Sequence, residues 1–178
     1  MSHREQQNFI QSVKNKFPEF FENKCVVEIG SLDINGTVRQ FFDKCVYIGV
    51  DVAPGPGVDV VSLGHKYDMT DGSFDVAISC ECFEHDPYHI ETLKNMIRLV
   101  KPNGLLVFSC ATTGRKEHGT PKSEPQSSPL TVSLGWEHYK NLEEKDFREE
   151  IDFDYIFSEY MFSNDLNACD LYFYGVKK

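Results

Sequence analysis

The chain has 178 residues and a formal net charge of −10 at pH 7. This length is typical of one domain with a substantial core and short for two, so we expect a single domain over residues 1–178. The acidic balance argues against nucleic acid or an anionic membrane as a partner, because phosphate groups are bound through clustered Lys and Arg. No apolar run approaches the roughly 20 residues of a membrane span, and the first residues lack a signal-peptide stretch. We therefore expect a cytoplasmic protein that acts on a small molecule.

The first half of the chain predicts one helix followed by short strands. An amphipathic helix is predicted at about 3–21, because four apolar side chains recur there at helical spacing, namely Phe9, Ile10, Val13 and Phe17. The short apolar runs that predict strands lie at 25–29, 46–50, 58–61, 75–79 and 104–110. Strands that alternate with helices or turns are typical of a doubly wound α/β fold with a parallel sheet.

The second half predicts a helix, a long loop and a pair of closing strands. An apolar helix face between 90 and 100 ends before Lys101-Pro102-Asn103-Gly104. The segment at about 111–137 is rich in Gly, Pro, Ser and Thr, and a loop of this length typically forms a lid or substrate loop. A short helix at 142–150 and aromatic strands at 151–162 and 168–178 complete the prediction. The aromatic edge at 155–162 could support a homodimer.

The six cysteines are scattered along the chain without a CxxC pair. Several lie in apolar runs, where a free thiol packs as a small hydrophobic side chain. We therefore expect neither a disulfide framework nor a cysteine-based zinc site.

The first predicted strand and its loop read VVEIGSLDING, residues 26–36. Gly30 permits a tight turn against a ligand, whereas the dinucleotide fingerprint would need glycine at the positions of Leu32 and Asn35. A pyrophosphate would meet the Leu32 side chain, which argues against an NAD-dependent oxidoreductase. We interpret Asn35-Gly36 as the entry to a short helix rather than a ligand contact.

Two carboxylates follow predicted strands. Asp51 ends the second strand, where an acid can accept hydrogen bonds from both ribose hydroxyls. Glu28 lies at the end of the first strand and suits an ammonium group better than a phosphate. A ligand with a ribose and an amino-acid end fits both, although Glu28 could be a strand-end acid and Asp51 could open a turn.

Four stretches in order, VVEIGSLDING, YIGVDV, DGSFDVAISCECFEH and LKNMIRLVKPNGLLVFSC, resemble the motifs of class I S-adenosylmethionine-dependent methyltransferases. The similarity covers residues 24–112 and points to the small single-domain branch called methyltransferase domain 11. It implies a Rossmann-like seven-stranded sheet in the order 3-2-1-4-5-7-6, mostly parallel, with strand 7 antiparallel. It also implies S-adenosyl-L-methionine as cofactor and methyl transfer to a small-molecule acceptor.

The resemblance implies a cofactor site of ten residues. Those at the methionine end are Glu28, Gly30 and Ser31. Asp51 would hold the ribose with Val52 beside the adenine, and Gly64 and His65 would approach the adenine edge. Those near the sulfonium are Ser79, Cys80 and Glu81. The first loop has fewer glycines than is usual in the family, because Leu32 and Ile34 occupy two of its positions. In addition, Leu63 or Gly64 stands at the position where the family often has an acid facing the adenine.

Two histidines are candidate catalytic bases, His85 just after the fourth strand and His118 in the long loop. His85 could instead orient the loop or cap the next helix, and His118 could be a solvated loop residue. Three basic residues near His118 suggest an anionic group on the substrate, and they are Arg115, Lys116 and Lys122.

We predict no metal. A metal site remains an alternative. Glu81, Glu84 and His85 form the motif E-x-x-E-H, and together with His118 they resemble the metal-binding set of plant small-RNA terminal 2′-O-methyltransferases. The absence of an RNA-binding domain and the net negative charge argue against that function. A further alternative is a Rossmann-like binding module without catalysis.

Overall fold

The apolar runs of the sequence pair into one seven-stranded sheet in the computed structural model, which describes residues 3–178. The strands are β1 (Cys25–Ile29), β2 (Val46–Asp51), β3 (Val60–Val61), β4 (Phe74–Cys80), β5 (Val100–Ala111), β6 (Phe157–Asp165) and β7 (Asp170–Lys177). Their order is β3-β2-β1-β4-β5-β7-β6. Strands β1 to β5 pair in parallel, and β7 is antiparallel to both β5 and β6. The predicted fold class, strand order and antiparallel β7 are confirmed.

The α-helices are α1 (Arg4–Lys16), α2 (His89–Leu99), α3 (Pro129–Ser133), α4 (Glu144–Arg148) and α5 (Phe153–Ile156). Short 3₁₀ turns lie at Pro18–Phe20, Val38–Phe41, Gly64–Lys66, Phe83–His85 and Pro125–Ser127. Within residues 3–178, none of the helices combines the length and the apolar character that crossing a bilayer requires.

The sheet is buried on both faces because successive strand residues point to opposite sides. In β5, Leu106 and Phe108 join the core on the α2 side, whereas Leu105 and Val107 join the core on the α1 side. The apolar faces of α1 and α2 cover these two surfaces. The near-continuous apolar runs of the sequence follow from this three-layer packing.

The last predicted strand pair begins later than expected. The stretch from 151 was predicted as strand, but Phe153–Ile156 forms a single helical turn before β6. The Asp152 side chain accepts a hydrogen bond from the Tyr155 N–H at 3.0 Å and so caps this turn. Side-chain capping here outweighs the strand propensity of the aromatic residues.

The order of the sheet sets the position of the site. The chain passes outward from β1 to β2 and β3, and then returns to the other side of β1 with β4. In a doubly wound sheet, the carboxyl ends of the strands at such a reversal border a crevice. The loops after β1, β2 and β4 therefore meet at one edge of the sheet.

Candidate functional site

A cavity of about 930 Å³, including the space at its mouth, lies at this edge. Ten of the twelve predicted site residues line it, namely Glu28, Gly30, Ser31, Asp51, Val52, Gly64, His65, Cys80, Glu81 and His85. Ser79 and His118 do not.

Gly30 makes the close approach after β1 possible. Its φ of +80° is in the left-handed region, and a Cβ added there would lie 2.6 Å from both Cβ and Sγ of Cys82. The Gly30 N–H donates to the Val50 carbonyl at 2.9 Å, which holds the turn against the end of β2. A side chain at this position would therefore collide with the loop after β4.

Asp51 ends β2 and lines the cavity. Its Oδ2 accepts the Leu32 N–H at 2.9 Å and its Oδ1 accepts the Val52 N–H at 2.8 Å. Burial raises the pKa of Asp51, and the two N–H donors oppose this rise. Each carboxylate oxygen keeps a lone pair for a further donor, so the carboxylate is already oriented for ligand hydroxyls.

Glu28 lies at the end of β1 with 5% of its surface exposed. Its Oε2 accepts the Tyr47 hydroxyl at 2.8 Å. The guanidinium of Arg39 stacks over the Tyr47 ring, 4.6 Å from its centroid. Burial raises the pKa of Glu28 to about 7, although Tyr47 and Arg39 act in the opposite direction. The carboxylate form would therefore gain from a cationic ligand group.

The turn at Gly64–Lys66 is held from α2. The Asn95 side chain donates to the carbonyls of Gly64 at 2.8 Å and Tyr67 at 2.9 Å. His65 packs on Tyr88 with ring centroids 4.4 Å apart. These contacts position the predicted adenine edge of the cavity.

Ser79 is fully buried behind the cavity wall. Its hydroxyl donates to the Ile29 carbonyl at 2.8 Å. This bond joins β4 to the last residue of β1, so Ser79 helps to position the two strands. Its contact with the cofactor stays a prediction.

Several buried polar atoms on the cavity wall have no hydrogen-bond partner within residues 3–178, and they include Gln6 Oε1, Ser31 Oγ, His65 Nδ1, Glu81 Oε2 and Ser127 Oγ. Buried polar groups are normally paired. Their number on this wall fits a polar ligand such as an amino-acid nucleoside.

Sequence reasoning missed part of the lining. Gln6 reaches the cavity from α1, where its polar side chain interrupts the buried face of an otherwise regular amphipathic helix. The long loop contributes Ser127–Thr131 and Trp136, and its composition had marked it as a substrate loop. Asn35 and Gly36, interpreted as helix entry, also line the cavity.

The two candidate bases lie side by side. The rings of His85 and His118 are perpendicular with centroids 5.0 Å apart, and both residues are buried. Glu84 is fully buried beside them, and its Oε1 lies 3.9 Å from His85 Nε2. One ligand atom from each of these three residues lies within 4.8 Å of the other two. We call this group the Glu84 cluster.

Burial controls the charge of the Glu84 cluster. It lowers the pKa of His85 to about 3, with the neighbouring His118 acting in the same direction. It raises the pKa of Glu84 to about 8, with Glu81 contributing. His118 is also shifted downward by burial. Both imidazoles are therefore neutral near pH 7.

A second group consists of partly buried His3 with buried Glu81 and Asp170, and their ligand atoms also lie within 4.8 Å of one another. We call it the Asp170 cluster. His3 Nε2 lies 3.0 Å from Asp170 Oδ2 and 3.7 Å from Glu81 Oε2. Burial alone would lower the pKa of His3, but Asp170 and Glu81 together raise it to about 10. Glu81 adopts a left-handed φ of 52° at the sharp turn after β4.

The basic residues of the long loop are largely engaged. Arg115 Nη1 lies 3.0 Å from Asp170 Oδ1, and Lys122 Nζ lies 2.9 Å from Glu137 Oε2. None of Arg115, Lys116 and Lys122 lines the cavity. The inference of an anionic substrate group from these residues is therefore not supported.

Comparisons with known proteins agree with the fold. The family model described as a methyltransferase domain matches residues 1–144. Among curated proteins, no sequence matches the chain significantly. A phosphoethanolamine N-methyltransferase 2 of Haemonchus contortus, in complex with phosphomonomethylethanolamine and S-adenosylhomocysteine, has a similar structure at 16% identity and a TM-score of 0.65. The match covers 96% of this chain and 52% of that one, so this chain spans about half of its length.

A second similar structure is the 1,6-didemethyltoxoflavin-N1-methyltransferase of Burkholderia thailandensis, with bound 1,6-didemethyltoxoflavin and S-adenosylhomocysteine. Its identity is 14% and its TM-score 0.64, over 97% of this chain and 78% of that one. At these identities the structural likeness concerns the fold. The family model covers most of the chain, and with the confirmed strand order it shows that the chain belongs to the class I S-adenosylmethionine-dependent methyltransferase family.

Proposed function

We propose that this chain binds S-adenosyl-L-methionine in the cavity and transfers its methyl group to a small-molecule acceptor. The observation that carries the proposal is the meeting of Glu28, Gly30 and Asp51 on one cavity wall at the reversal of the strand order. This arrangement offers an acid for a cation, a turn free of side chain, and an acid for a ribose.

Different residues of the wall bind different parts of the cofactor. The Glu28 carboxylate binds the ammonium of the methionine end, where it gains the cation that its buried position lacks. Asp51, held by the Leu32 and Val52 N–H groups, accepts the ribose hydroxyls. Gly30 lets the ligand lie directly against the backbone. S-adenosylmethionine, when bound, supplies a methyl group activated on a sulfonium.

The long-loop residues that line the cavity form the acceptor side. Ser127–Thr131 and Trp136 line the cavity, and Trp136 packs against Tyr88 at 6.3 Å between ring centroids. A wall of this kind excludes water and orients the acceptor, and orientation alone supplies on the order of 7 to 11 kcal/mol in favourable reactions. The two similar structures named above hold small molecules, which supports an acceptor of that size.

The predicted base roles remain predictions. His85 lines the cavity, whereas His118 stands behind it. Because methyl transfer depends mainly on the position of the acceptor, the proposal does not require either histidine to accept a proton.

Isothermal titration with S-adenosylmethionine and S-adenosylhomocysteine tests the proposal. We expect both ligands to bind, and Asp51→Ala to weaken binding at least tenfold, which corresponds to about 1.4 kcal/mol. Asp68→Ala is a matched control, because the Asp68 side chain is 96% exposed and lies outside the cavity lining. If the wild-type chain gives no heat with either ligand, the non-catalytic module becomes the better description.

Acceptor class is tested by measuring S-adenosylhomocysteine release with panels of small amines, hydroxyl compounds and carboxylates, and with short RNA. Turnover with a small molecule supports the proposal. Turnover with RNA alone would overturn its acceptor class in favour of the RNA-end alternative, against which the net charge of −10 counts.

A further inference from the structure

The Glu84 cluster has ligating atoms that the protein leaves unused. Both carboxylate oxygens of Glu84 and both ring nitrogens of His85 are buried without a hydrogen-bond partner in the part of the chain that the structure describes. Glu84 has no exposed surface and His85 has 3%. Four unpartnered polar atoms at one buried place are costly unless something binds them.

His118 is arranged as a ligand whose second nitrogen is occupied. Its Nδ1 lies 3.0 Å from the Lys116 carbonyl, which can only accept, so Nδ1 carries the hydrogen and Nε2 keeps its lone pair. Metal-bound histidines typically donate their other ring N–H to a carbonyl or carboxylate in this way. The contact also fixes the orientation of the ring.

The backbone of the long loop is shaped to bring His118 close to His85. Gly119 has a φ of +64°, and a Cβ added there would lie 2.6 Å from His85 Cε1. Only a glycine allows the loop to pass this closely over the ring. The loop and the turn after β4 are thus fitted together at the cluster.

We propose that Glu84, His85 and His118 bind a divalent transition-metal ion. One carboxylate and two neutral imidazoles are ligands that suit Zn²⁺, Fe²⁺, Co²⁺ and Mn²⁺. Bonds of about 2.0 to 2.2 Å would bring the ligand atoms to roughly 3 to 3.5 Å from one another. Since they now lie within 4.8 Å, side-chain movements of about 1 Å suffice.

Three protein ligands leave coordination positions open. His85 also lines the cavity, so the site is continuous with its wall. Resting on the proposed function, we assign these positions to an oxygen or nitrogen of the methyl acceptor. The ion would then place the acceptor beside the cofactor.

The Asp170 cluster is the competing location, and three of its four carboxylate oxygens already accept hydrogen bonds, whereas Glu81 Oε2 has no such partner among residues 3–178. Asp170 Oδ1 pairs with Arg115, Asp170 Oδ2 accepts the Tyr172 hydroxyl at 2.9 Å, and Glu81 Oε1 accepts the Ser109 hydroxyl at 2.8 Å. Arg115 and His3 supply positive charge there. A divalent cation would have to displace them, so we expect none at this cluster.

Calorimetric titration of the full chain, stripped with EDTA, with Zn²⁺ and separately with Mn²⁺ tests the proposal. We expect one ion per chain, bound more tightly for Zn²⁺ than for Mn²⁺. Glu84→Gln and His118→Phe should each weaken Zn²⁺ binding at least tenfold. Glu91→Gln and His138→Phe are matched controls outside the cluster, and Asp170→Asn reports on the competing location.

The proposal is overturned if the wild-type chain binds neither ion, if Glu84→Gln binds Zn²⁺ as tightly as wild type, or if only Asp170→Asn loses binding. Titration of the same variants with S-adenosylhomocysteine shows that each variant is folded. It also separates the two proposals, because metal binding without cofactor binding would remove the proposed function and leave the metal site standing.

Discussion

The Glu84 cluster and the Asp170 cluster have similar composition and differ in how their charge is balanced. Each brings three potential ligand atoms within 4.8 Å of one another. In the Asp170 cluster, Arg115 and His3 lie beside the carboxylates. In the Glu84 cluster, both imidazoles are neutral and the carboxylate has no partner among residues 3–178. At equal proximity, the two clusters differ in how many ligand atoms the protein pairs: three of the four carboxylate oxygens of the Asp170 cluster accept hydrogen bonds, whereas neither carboxylate oxygen of Glu84 does within residues 3–178.

The Asp170 cluster is a structural link. It connects the beginning of α1 through His3, the end of β4 through Glu81, the long loop through Arg115 and the beginning of β7 through Asp170. Its charges are satisfied within the protein, so its removal should lower stability. The Glu84 cluster should behave in the opposite way in the absence of metal.

Arg115→Met should have the largest effect. It removes the guanidinium from the buried Asp170 carboxylate and leaves His3 as the cation beside it. Breaking a buried pair typically costs 3 to 5 kcal/mol. Because the Arg115 side chain is 27% exposed, we expect a loss of about 3 kcal/mol in the free energy of unfolding. Urea denaturation measures it. In the double variant with Asp170→Asn, much of this loss should be recovered, and an additive further loss would contradict the charge argument.

Glu28→Gln should change how stability depends on pH. The folded pKa of Glu28 is raised to about 7 from an ordinary value of 4.5, so the folded state holds the proton more tightly than the unfolded state. The contribution of Glu28 to stability is then complete below about pH 4.5 and declines as pH rises to about 7, by about 3 kcal/mol at roughly 1.4 kcal/mol per pKa unit. The variant should lack this decline.

Unfolding curves of wild type and Glu28→Gln at pH 5, 6, 7 and 8 provide the measurement. Because Glu84 titrates in the same direction, the informative quantity is the difference between the two proteins. A difference that stays constant over this pH range would contradict a raised pKa for Glu28.

Glu84→Gln should stabilise the metal-free protein near pH 7 by about 1 to 2 kcal/mol, since folding of the variant no longer requires the Glu84 carboxylate to take up a proton on burial. Thermal unfolding in EDTA measures this effect, with Glu91→Gln as control. Zn²⁺ should raise the Tm of wild type more than that of the variant. A destabilised Glu84→Gln in EDTA would mean that the protein itself satisfies this carboxylate.

Lys122→Ala should have the smallest effect. The pair with Glu137 is exposed on both sides, with 77% and 61% of the side chains accessible. Exposed ion pairs contribute little to stability because water screens them. We expect a Tm equal to that of wild type in a thermal scan, and a clear decrease would show that this loop pair has a structural role.

The sequence predicted the sheet and much of the cavity wall because both depend on local patterns. Gly30 and Asp51 stand at strand ends, where parallel topology brings them together. Gln6 and His3 could not be assigned in this way, because their roles depend on where α1 crosses the sheet. For Ser79, position at a strand end does not reveal whether the side chain faces the cavity or the neighbouring strand, and its contact with the cofactor stays a prediction.

The contacts of the long loop also could not be predicted from local sequence patterns. Its composition indicated a substrate loop, and its basic residues suggested an anionic substrate. Arg115 instead pairs with Asp170, more than fifty positions later in the chain, and no local pattern in the sequence records that contact.

The position of β7 has a consequence for biosynthesis. This strand is inserted between β5 and β6 although β6 precedes it in the chain. It supplies Asp170 to His3 and Tyr172 to Phe9, and the rings of Tyr172 and Phe9 stack at 4.4 Å between centroids. While the chain emerges from the ribosome, α1 lacks these partners and the edge of β5 stays open to other strands. The packing of α1 on the sheet, and with it the cavity wall that Gln6 completes, therefore depends on β7 being in place.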